Sequence, residues 1–104
     1  MAFQLTALYN HPDDVAAFDR HYDGTHAALA AKLPGLRGYT VSRPGPDAQG
    51  NPFPYHLVAV LTFDDEAALS EAMGSDEGAA TVADLANFAG AGVALGTGNA
   101  HQVV

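Results

Sequence analysis

Cysteine is absent from the sequence, which excludes disulfides, thiolate nucleophiles, zinc–thiolate sites and cysteine-ligated clusters together. Basic residues are scarce. Four lysines and arginines stand against twelve aspartates and glutamates, a formal charge of −8, which repels phosphate backbones and anionic lipid surfaces and argues against nucleic acid or membrane as partners. No stretch of 18 apolar residues occurs, and no basic segment leads into an apolar one at the start, so the expectation is an untargeted, cytoplasmic protein. Tryptophan is also missing, and much of the apolar content is alanine, which contributes little buried area per residue. A single domain over residues 1–104 with this composition has a thin core that a second copy would help to complete.

What is present is a regular alternation of strand and helix patterns. Phe3, Leu5, Ala7 and Tyr9 alternate with Gln4, Thr6 and Leu8, the period-two pattern of a strand. Pro12 with Asp13 or Asp14 as cap predicts a helix from about residue 14 to Lys32 or Leu33, closed by Pro34-Gly35. A second strand is expected from Leu36 to Arg43, then an exposed loop rich in proline and glycine over residues 44–52. Tyr55 to Phe63, with β-branched Val58, Val60 and Thr62, has the strongest strand pattern. Asp64 is expected to cap a helix from Asp65 to about Met73, and Ser75 a further one from Asp76 to Ala89. A weaker last strand begins at Val93 and precedes a Gly98-Asn99 turn. This order is a ferredoxin-like split βαβ arrangement: an α+β fold with a four-stranded antiparallel sheet and helices on one face. The other face would carry Leu8, Val58 and Val60 and is the expected homodimer surface, where two copies enclose a cavity.

Several polar residues fall inside the apolar pattern. On a helical wheel Phe18, Tyr22, His26, Leu29 and Leu33 lie within about 60° of Val15, so His26 belongs to the buried stripe. Burial penalises the charged imidazole and leaves a base or hydrogen-bonding group; the structural alternative is a core histidine bonded to a backbone carbonyl. Tyr22 is one turn away and is expected either to share a pocket with His26 or to fill the core. His56 alternates onto the side of Val58, Val60 and Thr62, where it is a catalytic candidate, an interface group or a solvent-facing side chain. Tyr39 and Tyr55 are expected at strand ends in structural roles. No two histidines have metal-ligand spacing, and His21 and His26, five apart, are separated by about 140° on a regular α-helix, so no metal and no cofactor is expected. The glycines at 90, 92, 96 and 98 do not join a strand to a following helix, as a phosphate loop requires.

The strings Tyr9-Asn10-His11-Pro12-Asp13-Asp14, Phe18-x-x-His21-Tyr22-x-x-Thr25-His26 and Leu33-Pro34-Gly35-Leu36-Arg37-x-Tyr39 resemble the EthD-domain family. The likeness continues through Tyr55-His56-Leu57-Val58-Ala59 and Phe63-Asp64 to Ser75-x-Glu77-Gly78 and Ala83-Asp84-Leu85-x-Asn87-Phe88. The resemblance implies a dimeric α+β barrel, in which two protomers pack sheet to sheet, and an association with ethyl tert-butyl ether degradation. It also implies relationship to cofactor-free oxygenases, decarboxylases and cyclases. Thr25-His26 is the pair carried over from it; where many relatives have proline two residues after that histidine, this chain has Ala28. The resulting expectation is a cofactor-independent enzyme for a small hydrophobic molecule bound between helices and sheet, with His26 as base or acid and Tyr22 or His56 orienting the substrate. The alternative is a non-catalytic accessory or binding dimer that supports an oxidoreductase. Haem handling is a third possibility, raised by more distant relatives.

Overall fold

The structure, a computed structural model, describes residues 2–104. β1 (Ala2–Asn10) lies inside the sheet, flanked by β3 (Tyr55–Phe63) and β4 (Val93–Ala100), with β2 (Gly38–Ser42) at the far edge. The order is β2-β3-β1-β4 and every pair is antiparallel, the split βαβ topology expected from the element order. Alternation decides which side chains are buried. Phe3, Ala7 and Tyr9 of β1 and Leu57, Ala59, Leu61 and Phe63 of β3 form one face of the core, packed with Phe18, Tyr22, Leu33, Leu69 and Ala72 from the helical layer. Leu8, Val58 and Val60 occupy the other face and remain half-buried.

The first helical stretch departs from a uniform α-helix. Asp14 caps it by accepting from the Ala17 amide at 3.0 Å, and α1 (Val15–His21) passes into a π-helical segment (Tyr22–His26) before one last turn, α2 (Ala27–Ala30). Within the π segment the Ala27 amide donates to the Tyr22 carbonyl, five residues back. Gly35, at φ +76°, then takes the left-handed conformation that turns the chain toward β2. β2 spans Gly38–Ser42, shorter at both ends than the alternation predicts, with the Arg37 amide donating to the Thr62 carbonyl just ahead of it.

Three further differences have local causes. Asp65, not Asp64, caps α3 (Glu66–Met73), accepting from the Ala68 amide at 2.8 Å, while Asp64 pairs with Arg37 on the surface. Gly98-Asn99 makes no turn, because both residues pair with β1 and extend β4 to Ala100. His56 does not share the face of Val58: Tyr9 pairs with Leu57 but Asn10 pairs with Tyr55, leaving His56 as the extra residue of a bulge. Beyond that bulge the alternation shifts, and His56 turns toward α1. Ser75 caps α4 (Asp76–Phe88) as expected. No helix is long and apolar enough to cross a membrane among the described residues.

Candidate functional site

The π segment brings together two histidines that a regular α-helix would hold apart. With i→i+5 periodicity His21 and His26 lie on the same side, and both reach Asp84 on α4. His21 donates from Nε2 to the carboxylate at 2.9 Å and His26 from Nδ1 at 3.0 Å. Asn87, one turn further along α4, adds a third donor at 2.9 Å. Asp84 is only 5% exposed. Burial alone would raise its pKa, but the hydrogen bonds from Asn87, His21 and His26 hold the carboxyl below the usual range.

A carboxylate has no hydrogen to give, so the Nδ1 that touches Asp84 carries the ring hydrogen and Nε2 of neutral His26 presents its lone pair. That Nε2 lies 3.5 Å from the Tyr9 hydroxyl, at the outer limit of a hydrogen bond and so only loosely engaged. Burial holds the His26 imidazole below the ordinary histidine range, although Asp84 pulls the other way, and His21 adds to the lowering. The group is therefore neutral near pH 7. Its partner is a side-chain carboxylate, not the backbone carbonyl of the structural alternative.

His26 and Tyr22 line an apolar cavity of about 50 Å³ between helices and sheet, together with Tyr9 and Tyr39. The Tyr22 and Tyr39 hydroxyls share a hydrogen bond of 2.6 Å. Burial raises both pKa values, as it does for Tyr9, so these phenols stay protonated and serve as donors. Phe88 packs over the imidazole with ring centroids 4.7 Å apart. On the far side of Phe88, an open groove of about 600 Å³ is lined by His21, Arg20, Thr25, Asn87 and the loop beginning at Gly90.

His56 is not part of this cavity. Its Nε2 donates to Asp19 of α1 at 2.8 Å, Asp19 also pairs with Arg43, and the imidazole ring stands edge-on to Phe18. Burial would raise the Asp19 carboxyl, but the bonds from His56 and Arg43 keep it low. This network joins α1 to β2 and β3. The alternation of residues 55–63 placed His56 on the opposite face, and the bulge is why that fails. Two residues of the site, Tyr9 and Asp84, were not singled out as candidates. Asp84 carried a signal: with Thr81 and Phe88 it forms an i, i+3, i+7 stripe, so an aspartate occupied a helix position that packing should reserve for apolar groups.

The family model for the EthD domain matches residues 10–92, which includes Tyr22, His26, Tyr39 and Asp84 of the site; Tyr9 lies one residue ahead of it. An EthD-family protein of Bacillus halodurans, known from its crystal structure, is 40% identical, with a TM-score of 0.91 over 97% of this chain and 100% of its own. An uncharacterized 11.0 kDa protein from the thcB-thcC intergenic region of Rhodococcus erythropolis is 37% identical over 89% of each chain. More distant folds include a dimeric ferredoxin-like protein of unknown function from Thermobifida fusca (20% identity, TM-score 0.70, 93% and 89% covered). SnoaB of Streptomyces nogalater, a cofactor-independent oxygenase, is another (18%, 0.67, 99% and 95%).

Proposed function

The chain belongs to the EthD family, and from that premise we propose that it is a cofactor-independent acid–base enzyme acting on a small apolar molecule with an acidic O–H or C–H, such as a phenol or enol. The observation that carries this reading is His26, a lining residue of the cavity whose Nδ1 is fixed on Asp84 while Nε2 lies 3.5 Å from the hydroxyl of Tyr9, another lining residue. Geometry of this kind suits a general base: Nε2 takes the proton, the Asp84 carboxylate stabilises the imidazolium that forms, and Tyr9 or the Tyr22–Tyr39 pair donates to the oxygen on which charge develops. An apolar cavity strengthens each of these interactions. The substrate anion is then the reactive species for attack on oxygen, for decarboxylation or for ring closure; SnoaB, similar in fold, is a cofactor-independent oxygenase.

Ethyl tert-butyl ether has no acidic hydrogen, so this site does not act on the ether itself. In catabolism of that type it takes an oxygenated product bearing a hydroxyl or carbonyl group. The test is oxygen uptake and CO2 release across a panel of naphthols and anthrones. His26→Ala is expected to lower turnover by about 10²–10⁴ with an unchanged circular dichroism spectrum; equal turnover in the variant would remove His26 from the chemistry.

The second reading is a binding dimer without turnover, favoured by the Tyr9 hydroxyl near Nε2 and the small cavity. Tight binding of the same compounds, indifferent to His26→Gln and without product, would select it. Either reading takes the protein as a homodimer through the open sheet face. There Leu8, Val58 and Val60 lie next to Ala94, Gly96 and Gly98, whose lack of bulk allows a second sheet to approach closely.

A further inference from the structure

The cavity beside His26 is about 50 Å³, enough for a hydroxyl-bearing end group and well short of the roughly 300 Å³ at which ligand pockets begin. A ligand whose hydroxyl meets Nε2 must therefore extend beyond it. Two lining residues show where. Val82 of α4 and Leu95 of β4 border the cavity and yet are 49% and 57% exposed, so the cavity reaches the surface between them. Leu95 pairs with buried Ala7 and hence points to the helical side of the sheet, yet more than half of its surface stays exposed. The strand leaves its inward-facing leucine uncovered next to an apolar opening, with Leu5 and Leu85 continuing the apolar surface inward.

We propose that Val82 and Leu95 form an apolar lip that holds the body of an elongated ligand, its hydroxyl end inserted toward His26 and Tyr9. The inference rests on the cavity being the reaction site. It assigns a substrate class, amphiphilic phenols or enols with an apolar extension, and two specificity-determining residues that touch no reacting atom. Compact polar phenols fill the inner space without using the lip, and a charged extension meets two aliphatic side chains with no polar group to pair with.

The experiment is a binding series from phenol through 4-propylphenol to 4-hexylphenol, followed by calorimetry. In the native protein affinity is expected to rise about fourfold per methylene over the first few carbons. In Leu95→Asn and Val82→Asn, both at exposed positions, the increment falls to about twofold or less while phenol itself binds as before; that unchanged phenol affinity shows that the variants are folded. An unaltered increment in both variants overturns the inference and leaves the His26 site intact. So does a chain-length-independent affinity in the native protein accompanied by a lower mass for Leu95→Asn in light scattering, which would show the lip buried against a second copy. If no phenol of any length binds, the site reading falls and the lip with it.

Discussion

Asp84 accepts hydrogen bonds from three side chains while nearly excluded from water, and this decides what each neighbour can do. Replacing it by asparagine puts an amide N–H where His26 needs an acceptor. The His26 hydrogen then moves to Nε2 and the base is lost. Asp84→Asn is expected to lower turnover by about 10²–10⁴ and to cost about 1–3 kcal/mol of stability, measured by steady-state rates and urea unfolding. The pH dependence of stability follows from the same pair. His26 is held below its ordinary pKa of about 6.5 by burial, so the unfolded chain binds the proton first as pH falls. Stability from neutral His26 is present above that value and is lost as pH drops through the lowered one; Asp84, also held low, adds a further loss under more acidic conditions. The urea midpoint should fall between pH 7.5 and 5, and less so in His26→Gln. The sequence placed His26 and Tyr22 correctly on the buried stripe, since that needs only periodicity. It misplaced His56, since a one-residue bulge inverts a strand's faces without leaving a pattern of its own.

The elements were legible to within a few residues wherever burial alternates or a cap is local: β1, β3 and α4 follow from apolar spacing, and Asp14 and Ser75 from capping chemistry. The π segment was not, because its five residues, Tyr22–His26, have no composition that distinguishes them from an ordinary turn of helix. Its role is open to test by length. Deleting Gly24, which is exposed, removes the extra residue and leaves His21 and His26 four apart, about 40° around a regular α-helix, so both should still reach Asp84. The nitrogen chemical shifts of both imidazoles should then stay close to those of the native chain, and a change in both would show that the π geometry itself is required. Gly24→Ala keeps the length, and a Cβ there meets nothing within 4 Å, so it is expected to stabilise the fold by about 0.5–1 kcal/mol. Gly78 is the opposite case. A Cβ on it would run into the Ala72 and Met73 carbonyls where α3 meets α4, and Gly78→Ala should lower stability by about 1–3 kcal/mol. Thermal unfolding separates the two.

For the whole molecule, a thin core of 104 residues and a sheet with one face uncovered lead to the same expectation. Light scattering at micromolar concentration should give about twice the chain mass of 10.7 kDa, and Val60→Lys should return it to that of one chain, because an uncompensated ammonium at the centre of an apolar interface is not tolerated. Neither helix packing nor the His26 site involves Val60, so the monomer should retain its circular dichroism spectrum.

The carboxylate that joins His21 to His26 also joins the two spaces on either side of Phe88. One is the open groove and the other is the smaller apolar cavity, which reaches the surface between Val82 and Leu95. An occupant of the groove that engages His21 alters how Asp84 divides its hydrogen bonds, and so alters the His26 lone pair that a ligand in the cavity meets. Thermodynamic linkage makes this reciprocal: whatever factor the first occupant imposes on the affinity of the second, the second returns to the first. Two compartments with no lining residue in common are in this way linked through one carboxylate, and an occupant transmits to the other side only as far as it disturbs the hydrogen bonds that Asp84 accepts.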